Sequence, residues 1–82
     1  MNREHTLWQL HEAAEELQRT IREIERKPEY DYAEFVVAMQ HLYHHLNTAW
    51  NARDESPERI QACTDIDFDR WRQFPQDLYL GE

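Results

Sequence analysis

The stretch of residues 35–53, FVVAMQHLYHHLNTAWNAR, constrains this 82-residue chain more than any other feature. It contains no Asp, Glu, Lys or Arg before its last residue, Arg53, although 32% of all residues are charged. A helix exposed to water in so charged a chain would carry several ionised side chains. We therefore expect most of this segment's circumference to be covered by protein. Three histidines, two asparagines and Gln40 would be costly in hydrocarbon, which argues against a membrane span.

The segment before this stretch predicts an amphipathic helix. Between residues 6 and 26 the apolar residues recur at alternating spacings of three and four, as on one stripe of a helix. The stripe consists of Leu7, Leu10, Ala14, Leu17, Ile21 and Ile24. Pro28 ends this helix, because proline lacks an N–H donor and pushes the preceding residue out of the α region.

A second helix is predicted to begin next to Asp31 and to run antiparallel to the first. Asp31 and Glu34 have the spacing of a capping box, in which each side chain binds the other residue's backbone N–H. Only residues 27–31 separate the two helices, and so short a connection favours an antiparallel hairpin. In that hairpin Leu17 is expected opposite Leu42, so that the apolar stripes of the two helices bury each other.

The last third of the chain predicts one or two short helices. Ser56 followed by Pro57 is typical of a helix start, and Asp67 is expected to cap another helix over residues 68–74. Their aromatic residues are expected to form a lid over an aromatic flank of the hairpin. The lid consists of Phe68, Trp71 and Phe74, and the flank of Trp8, Tyr43 and Trp50.

The predicted fold class is therefore all-α. Residues 1–82 are expected to form a single small helical domain, with helix 1 in residues 1–27, helix 2 in residues 31–53, and short helices and a tail in residues 54–82. The architecture is an antiparallel two-helix hairpin covered by the short helices. Chains of this size bury only a modest core. The pairing of two hairpins into a four-helix bundle is a further hypothesis.

Charge and cysteine content exclude several classes of partner. The net charge is −8, and residues 54–82 carry most of it, with three basic and eight acidic residues. A phosphate-backbone binder needs clustered Lys and Arg, so nucleic acid and anionic membranes are disfavoured. An acidic inhibitor that imitates nucleic acid is one possible function for such a chain, but it requires a continuous acidic face.

The single cysteine and the absence of an apolar signal sequence after Met1 favour a thiol-reducing, cytoplasmic location.

The uncharged polar face of helix 2 is the candidate binding surface. It includes His41, His44, His45, Asn47 and Asn51. Neutral polar side chains are more typical of contact surfaces than of solvated helix faces. We therefore expect these residues to bind a protein partner, most simply a second copy in a homodimer. The predicted function is a non-enzymatic protein–protein interaction or regulatory module.

A metal-binding helical dimer is the alternative. His41 and His45 have the i,i+4 spacing that lets two imidazoles reach one divalent ion, and His44 lies nearby. No carboxylate or cysteine accompanies them on this helix, so histidines that face solvent or an interface are favoured over a metal site. No cofactor is predicted.

Other chemistry is not supported. Asp65, Asp67 and Asp69 match the opening of a calcium-binding EF-hand loop, but Arg70 and Gln76 replace its glycine and its bidentate glutamate. The only glycine is Gly81, which excludes a glycine-rich phosphate loop. We therefore expect no enzymatic activity.

Overall fold

The computed structural model describes residues 1–81, which form helices and connecting turns without a strand. The helices are α1 (Arg3–Arg26), α2 (Tyr32–Asn51), α3 (Pro57–Gln61) and α4 (Asp65–Trp71). The two long helices pack against each other as a hairpin, which confirms the predicted all-α class. Within residues 1–81, no helix is both long and apolar enough to cross a membrane.

The starts of α2 and α3 confirm the predicted N-cap residues. The Asp31 carboxylate accepts a hydrogen bond from the Glu34 N–H at 2.9 Å. The other half of the predicted capping box is wrong, because the Glu34 carboxylate binds Lys27 Nζ at 3.0 Å. The Ser56 hydroxyl accepts a hydrogen bond from the Arg59 N–H at 3.1 Å, with Pro57 in the first turn. These side chains bind N–H groups that have no partner inside the helix. The helix boundaries therefore follow from local sequence.

The predicted cap of α4 is wrong. Thr64 is the N-cap, and Asp67 is the third residue of the helix. The Thr64 N–H donates to Asp67 at 3.1 Å, and the Asp67 N–H donates to the Thr64 hydroxyl at 3.2 Å. This capping box satisfies two backbone donors at once, whereas a cap at Asp67 alone would satisfy one. The helix consequently begins three residues earlier than predicted.

The prediction that the apolar stripe of α1 faces α2 is also wrong. Its five large side chains are 43% to 52% exposed; they are Leu7, Leu10, Leu17, Ile21 and Ile24. The buried residues of α1 are instead Gln9, Ala13, Glu16 and Thr20. These four precede Leu10, Ala14, Leu17 and Ile21 by one residue each. One residue corresponds to about 100° of rotation about the helix axis, so α1 is turned a quarter-turn from the predicted orientation.

The two helices can pack in this orientation because the row between them combines small and polar side chains. Ala13 on α1 and Ala38 and Ala49 on α2 are buried. Small side chains let the helix backbones approach closely, and the polar side chains between them form hydrogen bonds with each other. The polar contacts join Glu16 to His41 and Gln9 to His45, an antiparallel register close to the predicted one.

Helix α4 covers one side of α2, as expected for a lid. Trp71 is buried, and the rings of Tyr43 and Phe74 pack edge to face with centroids 5.3 Å apart. Trp8 does not join this cluster: it lines a surface cavity with residues of α3, among them Pro57 and Ile60. The aromatic flank is therefore divided between the two short helices.

We predict that Asp67 stabilises the fold in a pH-dependent way. Hydrogen bonds from Arg59 and Thr64 hold the pKa of this carboxyl group well below its usual range. A carboxyl group with a lowered pKa in the folded state stabilises above its unfolded pKa of about 3.9, and this stabilisation is lost as the pH falls further. Asp67→Asn should therefore lower the free energy of unfolding near neutral pH, and this difference should shrink below about pH 4.

Urea denaturation followed by circular dichroism measures this difference. Asp65→Asn, which alters an exposed carboxylate in the same first turn, is the matched control. An Asp67→Asn effect that stays constant down to acid pH would contradict the prediction.

Candidate functional site

A chain of hydrogen-bonded side chains runs along the contact between α1 and α2. His41 Nδ1 lies 2.7 Å from Glu16 Oε1, and His45 Nδ1 lies 2.7 Å from Gln9 Oε1. The Nε2 atoms of the two histidines are 3.2 Å apart. We call Gln9, Glu16, His41 and His45 the polar row. It continues on α1 through Gln9 Nε2, which lies 3.2 Å from His5 Nε2.

Helix geometry places these side chains together. His41 and His45 are one turn apart on α2, and so lie on the same face. Gln9 and Glu16 are two turns apart on α1 and share the face that the hairpin buries. Gln9, Glu16 and His45 are buried, whereas the side chain of His41 is 48% exposed. The row therefore reaches solvent at His41.

Counting donors assigns the protons of the two imidazoles. The Gln9 carbonyl oxygen and the Glu16 carboxylate are acceptors, so each histidine donates from its Nδ1. A hydrogen bond between the two Nε2 atoms then requires one further proton. Burial lowers the pKa of His45, with smaller contributions from His44 and His41. Burial therefore disfavours the additional proton on His45.

Glu16 is the anion of the row. Burial by itself would raise the pKa of this carboxyl group, but hydrogen bonds from Arg19 and His41 outweigh burial and lower it. Arg19 Nη2 lies 2.6 Å from Glu16 Oε2, so the buried carboxylate has a cation beside one oxygen and the His41 ring beside the other. Paired in this way, a buried charge avoids most of the penalty of an isolated one.

The two asparagines of the predicted site bind the end of α4. Asn47 Nδ2 donates to the Arg72 carbonyl at 3.0 Å, and Asn51 Nδ2 donates to the carbonyls of Trp71 and Gln73 at 2.7 Å each. The last carbonyls of a helix have no partner within it, and these amides supply one. Asn47 and Asn51 thus attach the lid to α2.

All five residues predicted to bind a partner contact their own chain. His41 and His45 belong to the polar row, and Asn47 and Asn51 bind α4. His44 packs against the rings of His45 and Phe68. Partner binding through these residues stays a prediction.

The sequence analysis missed the two α1 members of the site, Gln9 and Glu16. The signal was a second row with spacings of four, three and four, one position before the apolar stripe: Gln9, Ala13, Glu16 and Thr20. Its small and polar residues have the same period as the stripe but lower hydrophobicity. A pattern based on hydrophobicity alone therefore selects the wrong row.

The described residues do not form a cluster of metal-binding side chains. In the part of the chain that the structure describes, no group of three or more His, Cys, Asp or Glu side chains could hold a metal ion. Two of the three aspartates of the EF-hand pattern are instead in ion pairs: Asp67 pairs with Arg59 and Arg70, and Asp69 pairs with Arg72. Cys63 is free and exposed.

Comparison of the chain with protein-family models, with curated proteins and with solved structures finds no match. The function must therefore be argued from the chain's own geometry.

We predict that Gln9→Leu destabilises the hairpin. Leucine has a similar volume, but it leaves the Nδ1–H of buried His45 without an acceptor, which costs about 1–3 kcal/mol. Gln18→Leu makes the same chemical change at an exposed position of α1 and is the control. Chemical denaturation of both variants tests the prediction, and equal stabilities would show that the polar row does not hold the helices together.

Proposed function

We propose that this chain is a non-enzymatic protein–protein association module whose partner is a second copy of itself. The proposed interface is the apolar face, defined as the α1 stripe together with the apolar residues beside it on α2. On α2 these are Phe35, Met39, Leu42 and Leu46. The observation that carries the proposal is the exposure of the five large aliphatic residues of α1, each 43% or more accessible to solvent.

The two halves of the apolar face lie on the same side of the hairpin. On α1 the stripe follows the buried row by one residue. On α2, Met39 and Leu46 likewise follow buried Ala38 and His45 by one residue. Two antiparallel helices are related by a two-fold axis perpendicular to the plane that contains both helix axes. On each helix the apolar stripe follows the buried row by one residue, which is a rotation of about 100° about the helix axis. The two-fold axis relates these two rotations, so both stripes lie on the same side of the plane. The result is one continuous apolar surface along both helices.

The exposed area of the chain matches what a dimer would bury. A folded monomer of 10.1 kDa is expected to expose about 5,300 Å². This chain exposes 6486 Å², which is roughly 1,200 Å² more. A specific interface typically buries about 800 Å² on each partner. The excess therefore suffices for one interface of standard size or somewhat larger.

The shape of the chain leads to the same proposal. Its radius of gyration is 14.6 Å, whereas a compact chain of this length has one of about 12 Å. Its dimensions are 44 × 32 × 22 Å, those of an elongated body. Two such hairpins stacked through their apolar faces would form a four-helix bundle, in which each stripe gains a facing stripe.

This surface differs from the one that the sequence predicts. The uncharged face of α2 already binds α1 and α4 within the same chain, which leaves few of its polar atoms for a partner. The residues that define the apolar face include no Asp, Glu, Lys, Arg or His, so burying their side chains desolvates no charge. A single free cysteine fits a thiol-reducing compartment, and we include a cytoplasmic location in the proposal.

We predict that wild-type protein has the mass of a dimer and that Leu17→Glu has the mass of a monomer. The substitution places one carboxylate per chain at the centre of the apolar face, where a symmetric interface would bury both without a counter-ion. The matched control is Val37→Glu. Val37 is 65% exposed on α2 and lies outside the apolar face.

Analytical ultracentrifugation over a dilution series measures the mass. Cys63, the only cysteine, provides a native position for a spin label. A dipolar coupling between labels should appear in wild type and Val37→Glu and be absent in Leu17→Glu. A wild-type monomer at all concentrations, or a dimer that Leu17→Glu leaves intact, would contradict the proposal.

A further inference from the structure

We propose that His41 and His45 form a two-ligand site for a divalent ion that prefers imidazole, namely Cu²⁺, Ni²⁺ or Zn²⁺. Their Nε2 atoms are 3.2 Å apart. An ion at about 2.0–2.1 Å from both atoms would subtend an angle of about 100° between them. This value lies between the angles of square-planar and tetrahedral coordination. The histidine pair therefore has the spacing of two adjacent ligands before any ion binds.

The hydrogen bonds at the opposite ring nitrogens are those that metal-binding histidines make. A histidine that binds a metal through one nitrogen usually donates from the other to a carboxylate or carbonyl, which fixes its tautomer and orientation. Here His41 Nδ1 donates to the Glu16 carboxylate and His45 Nδ1 to the Gln9 carbonyl, both at 2.7 Å. Nε2 is therefore the nitrogen that each ring has available for an ion. A chance pair of surface histidines would lack these two acceptors.

The surroundings of the pair combine rigidity with access. His45, Gln9 and Glu16 are buried between the helices and hold one ligand and both acceptors in place. The half-exposed His41 leaves an approach for the ion and for water molecules that complete its coordination. The two Nε2 atoms lie 3.2 Å apart, and the ion would bind to both.

The ligand set also selects the class of ion. Ca²⁺ and Mg²⁺ prefer oxygen ligands, whereas imidazole suits Cu²⁺, Ni²⁺ and Zn²⁺. Because the pair provides only two protein ligands, affinity should follow the intrinsic order of these ions, with Cu²⁺ bound most tightly. The apolar face contains neither histidine, so the site is independent of the proposed dimer.

Calorimetric titration of untagged protein with Cu²⁺ and with Zn²⁺ tests the site. We expect one ion per chain in wild type and at least a tenfold weaker affinity in His41→Ala. His41 is half-exposed, so this variant should fold, which circular dichroism checks. Glu16→Gln should weaken binding by about tenfold or more, because it removes the charged acceptor behind His41. His11→Ala, which alters an exposed histidine on α1, is the control and should bind like wild type.

Electron paramagnetic resonance of the Cu²⁺ complex identifies the ligands directly. Two coordinated imidazole nitrogens are expected in wild type and in the Leu17→Glu variant, and fewer in His41→Ala. Wild-type affinity in His41→Ala, or a wild-type spectrum without two imidazole nitrogens, would overturn the proposal. Loss of binding in His11→Ala would do the same, because the ion would then be bound elsewhere.

Discussion

The hydrogen bonds from His41 to Glu16 and from His45 to Gln9 set how the two long helices are rotated against each other. Each bond pairs a buried polar group that would be costly without a partner. The bonds can form only when α1 presents Gln9 and Glu16 to α2. This rotation turns the adjacent leucines and isoleucines away from α2. These two hydrogen bonds thus account for both the rotation of α1 against α2 and the exposure of the apolar stripe.

Much of the fold could be predicted from the sequence because local signals determine it. Pro28 and the Asp31 cap define the turn between the long helices, and Ser56 with Pro57 defines the start of α3. These signals act over three or four residues, so they do not depend on how the helices later pack. The start of α4 was missed because Thr64 and Asp67 bind each other reciprocally, which the sequence pattern alone does not distinguish from a cap at Asp67.

The rotation of α1 could not be predicted from hydrophobicity. Two rows with the same period lie one residue apart, and the more apolar row is the natural choice for the contact within a chain. That choice holds when the hairpin is the whole folded unit. It fails here because the polar row lies between the two helices, and the apolar stripe of α1 is left exposed on another side of the hairpin. The candidate site was therefore predicted only on α2, where its histidines are conspicuous, and not on α1, where Gln9 and Glu16 resemble ordinary surface residues.

Because the apolar face is uncharged, the strength of the proposed contact between two chains would depend on temperature. Attraction between apolar surfaces weakens on cooling, whereas the hairpin itself also relies on hydrogen bonds and ion pairs. If two copies associate through the apolar face as proposed, chilled, dilute protein would therefore separate into folded single hairpins before those hairpins unfold. Added sulfate, which strengthens apolar burial, would favour reassembly.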